Sequence, residues 1–299
     1  MGFRVLPGVI YGKGHAYSEP FTGSGTPESV AKLSRDDLVK FHATWFKPNH
    51  ATLVIVGDTT MPEIRPKLEK LFAGWKPGDI PKKNLADVEL PARPVVYLVD
   101  RPGSEQSLIL AGNVAPRKAA ATEISIETMN NILGGDFGAR ISVNLREDKH
   151  WAYAAQTVLM DARGQRPFLV YAPVQTDKTK ESMAELSKEL RGILSDRPAT
   201  AEELARVKTT ETLRLPGSEE TIAQVSTSIE ELVRYDLPDN YHETYASKVR
   251  ELTLADIGKA AAEVVHPNNL VWIVVGDRAK VEAGVRDLNL GEVQVLNRE

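Results

Sequence analysis

The sequence predicts an α+β protein made of tandem homologous domains, with helices packed on a mostly antiparallel sheet and the first domain truncated at its N-terminus. Three observations carry this expectation. Helical and strand segments alternate without strict βαβ order, which favours layered α+β packing over a doubly wound parallel sheet. Residues 33–58 and 252–277 align without a gap at an offset of 219, with nine of 26 positions identical. The chain has 299 residues, 42% of them apolar and 26% charged, which is enough material for about two globular cores.

The two aligned segments share a physical plan. A Ser or Thr N-cap (Ser34, Thr253) precedes an Asp three residues later (Asp37, Asp256), as in a capping box. A helix then runs to a Pro-Asn turn, Pro48-Asn49 or Pro267-Asn268, and a β-branched apolar strand ends at Val-Gly-Asp. In the second copy a whole domain extends from Val95 to the end of this unit. The first copy has the same tail, so roughly 120 residues of a first domain are expected ahead of Met1. The expected division is 1–76 as the remainder of a first domain, 77–94 as a linker carrying four prolines, and 95–292 as a complete second domain.

The elements follow in order. Thr26-Pro27-Glu28 starts a helix over 27–33, with Pro at its first position. A helix over 35–46 leads into a strand over 51–57, and Thr60-x-x-Glu63 opens a helix ending near Phe72. In the second domain, strands are expected at 95–100 and 106–112, and a helix at 121–133 stopped by Gly134-Gly135. Residues 138–148 look helical, and 152–160 and 167–175 look like strands. Helices are expected at 178–195, 201–214, 218–235 and 239–250, the second opened by Thr200-x-x-Glu203. A last helix near 278–288 follows the second Val-Gly-Asp.

Composition excludes several functions. Lys+Arg is 37 against Asp+Glu 41, a net charge of −4, so the basic excess of a dedicated nucleic-acid binder is missing. No uncharged apolar run approaches the roughly 18–20 residues of a membrane-spanning helix. There is no Cys, so disulfides, Cys-ligated metals and a Cys nucleophile are excluded, and the compartment is left open. The first residues lack the basic and apolar regions of a signal peptide. The six histidines form neither of the two helical zinc-protease patterns, H-E-x-x-H and H-x-x-E-H. His242-Glu243 is half of the first, but Ala246 stands where the second His would be. His15 and His266 read as loop and turn residues. No phosphate loop or complete dinucleotide fingerprint is present, so the chain is expected to hold no metal or cofactor of its own.

One segment stands apart: Gly134-Gly135-Asp136-Phe137-Gly138-Ala139-Arg140, then Leu145-Arg146-Glu147, then Trp151-Ala152-Tyr153. Its glycines allow close approach of another chain. Arg146 and Tyr153 stand seven apart across an expected helix-to-strand junction. A fixed cation and a neutral O–H donor converging on a peptide carbonyl would orient it and stabilise a developing oxyanion. The plainer alternative is a surface Arg paired with Glu and a strand Tyr packed in the core.

This segment resembles the second-domain motif of the M16 metallopeptidases, the pitrilysin, insulinase and processing-peptidase group. Tyr11-Gly12-x-x-His15-x-Tyr17, Gly25-Thr26-Pro27-Glu28-Ser29, Pro48-Asn49 and Val56-Gly57-Asp58 resemble the tail of an M16 domain, so the resemblance covers essentially the whole chain. It implies homologous α+β domains of about the repeat length. Active M16 domains carry H-x-x-E-H and a downstream Glu for zinc. Here the motif is absent, so zinc is expected in a missing or partner half and this chain is expected to be inactive alone. By the resemblance, Arg146 and Tyr153 match a pair that binds substrate near the scissile bond, with Gly134, Gly135 and Phe137 beside them. The sequence departs at His150-Trp151, where many members have Gly-Leu. The resemblance leans toward the bacterial periplasm or cell envelope. Three functions are open: the substrate-contacting half of a zinc peptidase, an inactive scaffold subunit, or a peptide-binding module using a strand edge. The expected partners are a zinc-bearing half, a peptide or protein substrate, and a second copy of the chain through the truncated domain.

Overall fold

A computed structural model describes residues 1–296. Its centre is a six-stranded sheet in the order β3-β4-β2-β5-β1-β6. The strands are β1 (Val95–Asp100), β2 (Gln106–Ala115), β3 (Gln156–Leu159), β4 (Arg166–Gln175), β5 (Val271–Gly276) and β6 (Glu292–Leu296). The β3–β4, β4–β2 and β2–β5 pairings are antiparallel, while β1 runs parallel to both β5 and β6. The sheet is therefore mixed with an antiparallel majority, and the α+β class holds.

Helices cover one face. They include α5 (Glu123–Asn130), the short α6 (Arg140–Ser142), α7 (Thr179–Gly192), α8 (Ala201–Leu213), α9 (Ile222–Tyr235), α10 (Tyr241–Glu251), α11 (Leu254–Val264) and α12 (Arg278–Asp287). Alternate strand residues such as Leu98, Ile109, Val170, Trp272 and Val274 point into the core shared with α5, α7 and α11. The other residues, among them Leu110, Leu169 and Ile273, face a second cluster built on Leu6. With both faces covered, all six residues of β5 are buried.

The helix on that second face, α1 (Gly2–Tyr11), is one the sequence reading does not assign. Pro7 sits inside it and hides the pattern. Pro7 has no N–H, so the Phe3 carbonyl four residues earlier is left free, and it accepts from the Phe21 amide at 3.2 Å. Gly2 is needed where α1 meets the sheet, since a Cβ there would come within 2.5 Å of Leu110 Cδ1. Residues 1–21 thus pack with the second unit. The 77–94 segment is irregular but is held to the same body. The Ala16 amide donates to the Asn84 carbonyl (2.9 Å), Val88 to Gln165 Oε1 (2.6 Å), and Asn269 Nδ2 to the Pro91 carbonyl (2.6 Å).

The first copy of the repeat differs from expectation. Its helices α2 (Pro27–Ala31), α3 (Arg35–Trp45) and α4 (Met61–Phe72) form as the caps predict, but none buries a residue. Residues 51–57, expected as a strand, form no strand and have no ladder partner among the described residues. A strand needs neighbours to hydrogen-bond, and β5 has two where this segment has none. Smaller corrections concern 152–160, where only Gln156–Leu159 is strand and Ala152 makes an isolated bridge to Val174. The helical stretch 138–148 is a turn of α-helix followed by a wide π-helical stretch, Val143–Asp148.

Candidate functional site

The glycine-rich segment lies where α5 passes through a π-helical stretch, Asn131–Gly135, into the loop before α6. Gly134 is buried, and a Cβ on it would stand 2.7 Å from the Thr157 amide and hydroxyl of β3. Close packing on the chain's own strand demands this glycine, a cause different from the approach of another chain. Gly135 would likewise collide with the side chains of Asn130 and Asn131. Asp136 fixes the loop, accepting from the Phe137 amide at 2.7 Å and from Arg206 at 2.8 Å. Arg140 is fully engaged: it bonds both oxygens of Glu203 (2.6 Å each) and the carbonyls of Arg197 and Pro198.

Arg146 is held differently. Its guanidinium lies over the exposed Phe137 ring, 3.6 Å from the centroid, and pairs with Glu147 at 3.2 Å. Its side chain is 25% exposed, and its Nη1 is buried without a hydrogen-bond partner among the described residues. Tyr153 is 90% exposed, so it is not the core tyrosine of the plainer alternative. The backbone ties their two segments to each other. The Trp151 and Ala152 amides both donate to the Leu145 carbonyl, at 3.0 and 3.3 Å, so Arg146 and Tyr153 leave the chain from adjacent points. Between them His150 has φ +57°, a left-handed conformation that glycine adopts freely and His tolerates better than most residues. Its Nδ1 is 3.0 Å from the Arg146 carbonyl, which ties the turn closed. This accounts for a His at a position where the resemblance leads one to expect Gly.

Four of the six histidines, His15, His150, His242 and His266, are within hydrogen-bond distance of backbone groups. His15 accepts from the Tyr17 amide at Nδ1 (3.0 Å) and faces the Ala86 carbonyl with Nε2 (3.2 Å), so both ring nitrogens are used. His242 and His266 bond backbone carbonyls. No group of three or more His, Asp or Glu among the described residues is placed to hold a metal ion.

A second polar assembly is absent from the sequence reading. Lys118 and Arg166 are buried at the base of α5. Lys118 bonds Glu127 and lies 3.3 Å from each of Glu123, Asp161 and Glu231, while Arg166 pairs with Glu123 and Asp161. Burial, and then Glu127, push the Glu123 carboxyl up to about 8 against the pull of Arg166 and Lys118. Residues far apart in sequence make this cluster, and only a buried Lys or Arg could have signalled it.

Fold and site together describe an α+β domain that carries Phe137 and Arg146 in contact beside a glycine-rich loop, with an exposed Tyr153 on the following bend. Residues 32–211 match the peptidase M16 inactive domain family. The chain belongs to that family. It is similar to a non-peptidase homolog of Helicobacter pylori, 22% identical over 259 residues, covering 86% of this chain and 59% of the relative. It is also similar to an uncharacterized zinc protease of Mycobacterium leprae, 22% identical over 182 residues, covering 60% of this chain and 40% of the relative. In fold it resembles a peptidase M16 inactive domain from Pseudomonas fluorescens, with a TM-score of 0.78 at 19% identity, covering 91% of this chain and 64% of that one. The chain spans about half the length of the curated relatives it matches.

Proposed function

We propose that this chain is the zinc-free half of an M16 peptidase assembly, and that it holds an extended peptide substrate with Arg146, Tyr153 and Phe137 while a zinc-bearing half cleaves it. The observation that carries the reading is the exposed Tyr153 hydroxyl, on a bend hydrogen-bonded to the residue before a partly accessible Arg146. Neither group is consumed by the fold. Arg146 rests on a ring and an exposed neighbour, unlike the locked Arg140. An Arg and a phenol beside a peptide carbonyl offer a cation and a neutral donor to the charge that develops on its oxygen. The hydrolytic metal belongs to the other half.

The test uses the chain with its zinc-bearing partner. Tyr153→Phe should lower turnover by about 10²–10³, the usual cost of one oxyanion donor. Arg146→Ala should also raise the Michaelis constant, because it holds the peptide before reaction as well as during it. Both variants should keep the circular dichroism and melting temperature of the parent. Full activity in both would overturn the reading. That result would favour the scaffold reading, which the non-peptidase name of the Helicobacter pylori relative supports.

A further inference from the structure

Strand β3 pairs with β4 alone, and among the described residues no other strand pairs with it. Beside that edge lies a recess of about 300 Å³, walled by Gln156–Leu159 of β3, by Glu127, Asn130 and Asn131, and by Glu211 and Arg214. Glu127 and Arg214 also wall an adjoining cavity of about 240 Å³ that reaches Lys118, Glu231 and Tyr241. We infer that this recess is a subsite for the cationic side chain of an Arg or Lys, presented by an extended segment lying along β3. The inference rests on the peptide-holding reading for the backbone that carries the side chain. The recess itself stands on its own chemistry.

Charge is the first argument. Across the two cavities and the cluster behind them, the carboxyl groups Glu123, Glu127, Asp161, Glu211 and Glu231 outnumber the cations Lys118, Arg166 and Arg214 by two, and with Glu123 holding its proton one negative charge is left in excess. Glu211 is buried, and burial raises its carboxyl above the ordinary range. It is served by Asn131 Nδ2 (3.0 Å), the Tyr245 hydroxyl (3.1 Å) and one nitrogen of Arg214 (2.7 Å), the last reaching in from solvent. The second argument is independent of charge. Asn130 is only 7% exposed, lines the recess, and its Oδ1 finds no hydrogen-bond partner among the described residues. In the adjoining cavity the buried Tyr241 hydroxyl is equally without a partner. A buried acceptor left unbonded costs free energy that a donor would recover. A guanidinium or ammonium brings several N–H donors and the missing positive charge in one group. An apolar side chain would leave Asn130 unsatisfied, and an acidic one would meet like charge. The lack of any three-ligand metal arrangement among the described residues favours an organic cation over a metal ion. Strand addition supplies the geometry, because alternate side chains of an added strand turn toward the helical layer where the recess lies.

The experiment uses the whole chain and small probes. Agmatine titrated into isotope-labelled protein should bind in the millimolar range and shift the amides of Gly135 and Gln156–Leu159. N-acetylarginine amide should shift the same amides, and its neutral counterpart N-acetylcitrulline amide should not. Arg214→Ala removes the exposed cation that competes for Glu211, and should tighten agmatine binding about tenfold. Glu211→Gln should weaken it by a similar factor. Tyr153→Ala should leave it unchanged. Absence of shifts at these amides, equal binding of the citrulline probe, or weaker binding in Arg214→Ala would overturn the inference. The two readings separate cleanly. If agmatine binds but arginine-containing extended peptides gain nothing from Tyr153, the recess stands and the peptide clamp falls. If such peptides bind through Tyr153 while agmatine is silent, the clamp stands and the recess falls.

Discussion

In both copies of the repeat, the Asp amide at the third helical position lies 3.3 Å from the capping hydroxyl, and the reciprocal bond to the carboxylate is 2.9 Å. Beyond the cap the copies part. In α11, Ile257 is 0% exposed and docks on α5 and the sheet, whereas its counterpart Leu38 in α3 is 62% exposed. In β5, Val274 is buried between β1 and β2, whereas its counterpart Ile55 is exposed in a segment with no ladder. One sequence plan therefore gives a capped helix wherever it stands, and a strand only where other strands flank it. Helix starts are decided within four residues. A strand's hydrogen bonds go to other segments, so its existence is a property of the neighbourhood.

Matched substitutions test this difference most strongly. Val274→Asp buries a carboxylate with no partner and should destabilise the chain by more than about 4 kcal/mol, enough to prevent folding. Ile55→Asp, the same change at the equivalent position, should move stability by no more than about 0.5 kcal/mol. Thermal denaturation followed by circular dichroism compares them directly. Equal losses would mean that the first copy is packed as well as the second.

The next effect is on association. Leu33, Leu38, Phe41, Phe46, Leu53 and Leu71 leave the first copy with an apolar surface that no described element covers. Such patches drive association. Sedimentation should show a concentration-dependent oligomer, and Leu38→Glu with Phe41→Glu should shift it toward monomer without changing the melting temperature. A monomer at all concentrations would remove this consequence of the comparison.

What could be read in advance follows the same division. The caps at Thr26, Ser34, Thr200 and Thr253 announce their helices because the signal is local. The strand expected over 51–57 does not form, because an apolar pattern says nothing about which segment pairs with it. The helix over Gly2–Tyr11 is hidden by Pro7, and β6 runs on past residue 292, where the second domain is expected to end. Arg146, Tyr153 and Phe137 are legible as a motif, but the ring under Arg146 is not. The Lys118 and Arg166 cluster joins α5, α9 and the β3–β4 turn, and no spacing along the chain reports such a meeting.

That cluster belongs to the packed copy alone and should make its stability depend on pH. With Glu123 pushed up to about 8 in the fold and near 4.5 when unfolded, the folded chain holds a proton that the unfolded chain releases. The stabilisation is full below about 4.5 and is lost as pH rises through about 8. The melting temperature should therefore fall across that window, and Glu123→Gln should flatten the fall. A profile that rises with pH over the same window would contradict the assignment of the proton to Glu123.

The smallest effect separates the copies at the caps themselves. Thr253→Ala removes the hydroxyl that accepts the Asp256 amide at the start of α11. Loss of such a cap typically costs about 1 kcal/mol. Helix α11 is docked on α5 and β2, so its ends cannot fray without loosening the core, and the loss should appear as a lower global melting temperature. Ser34→Ala deletes the same bond in α3, where the helix buries nothing. Its fraying costs no packing, so the melting temperature should stay put while amide exchange quickens only over the first turns of α3. If Ser34→Ala instead lowers the global melting temperature as much as Thr253→Ala, α3 must be docked in solution. The contrast between the copies would then be one of partner and not of packing.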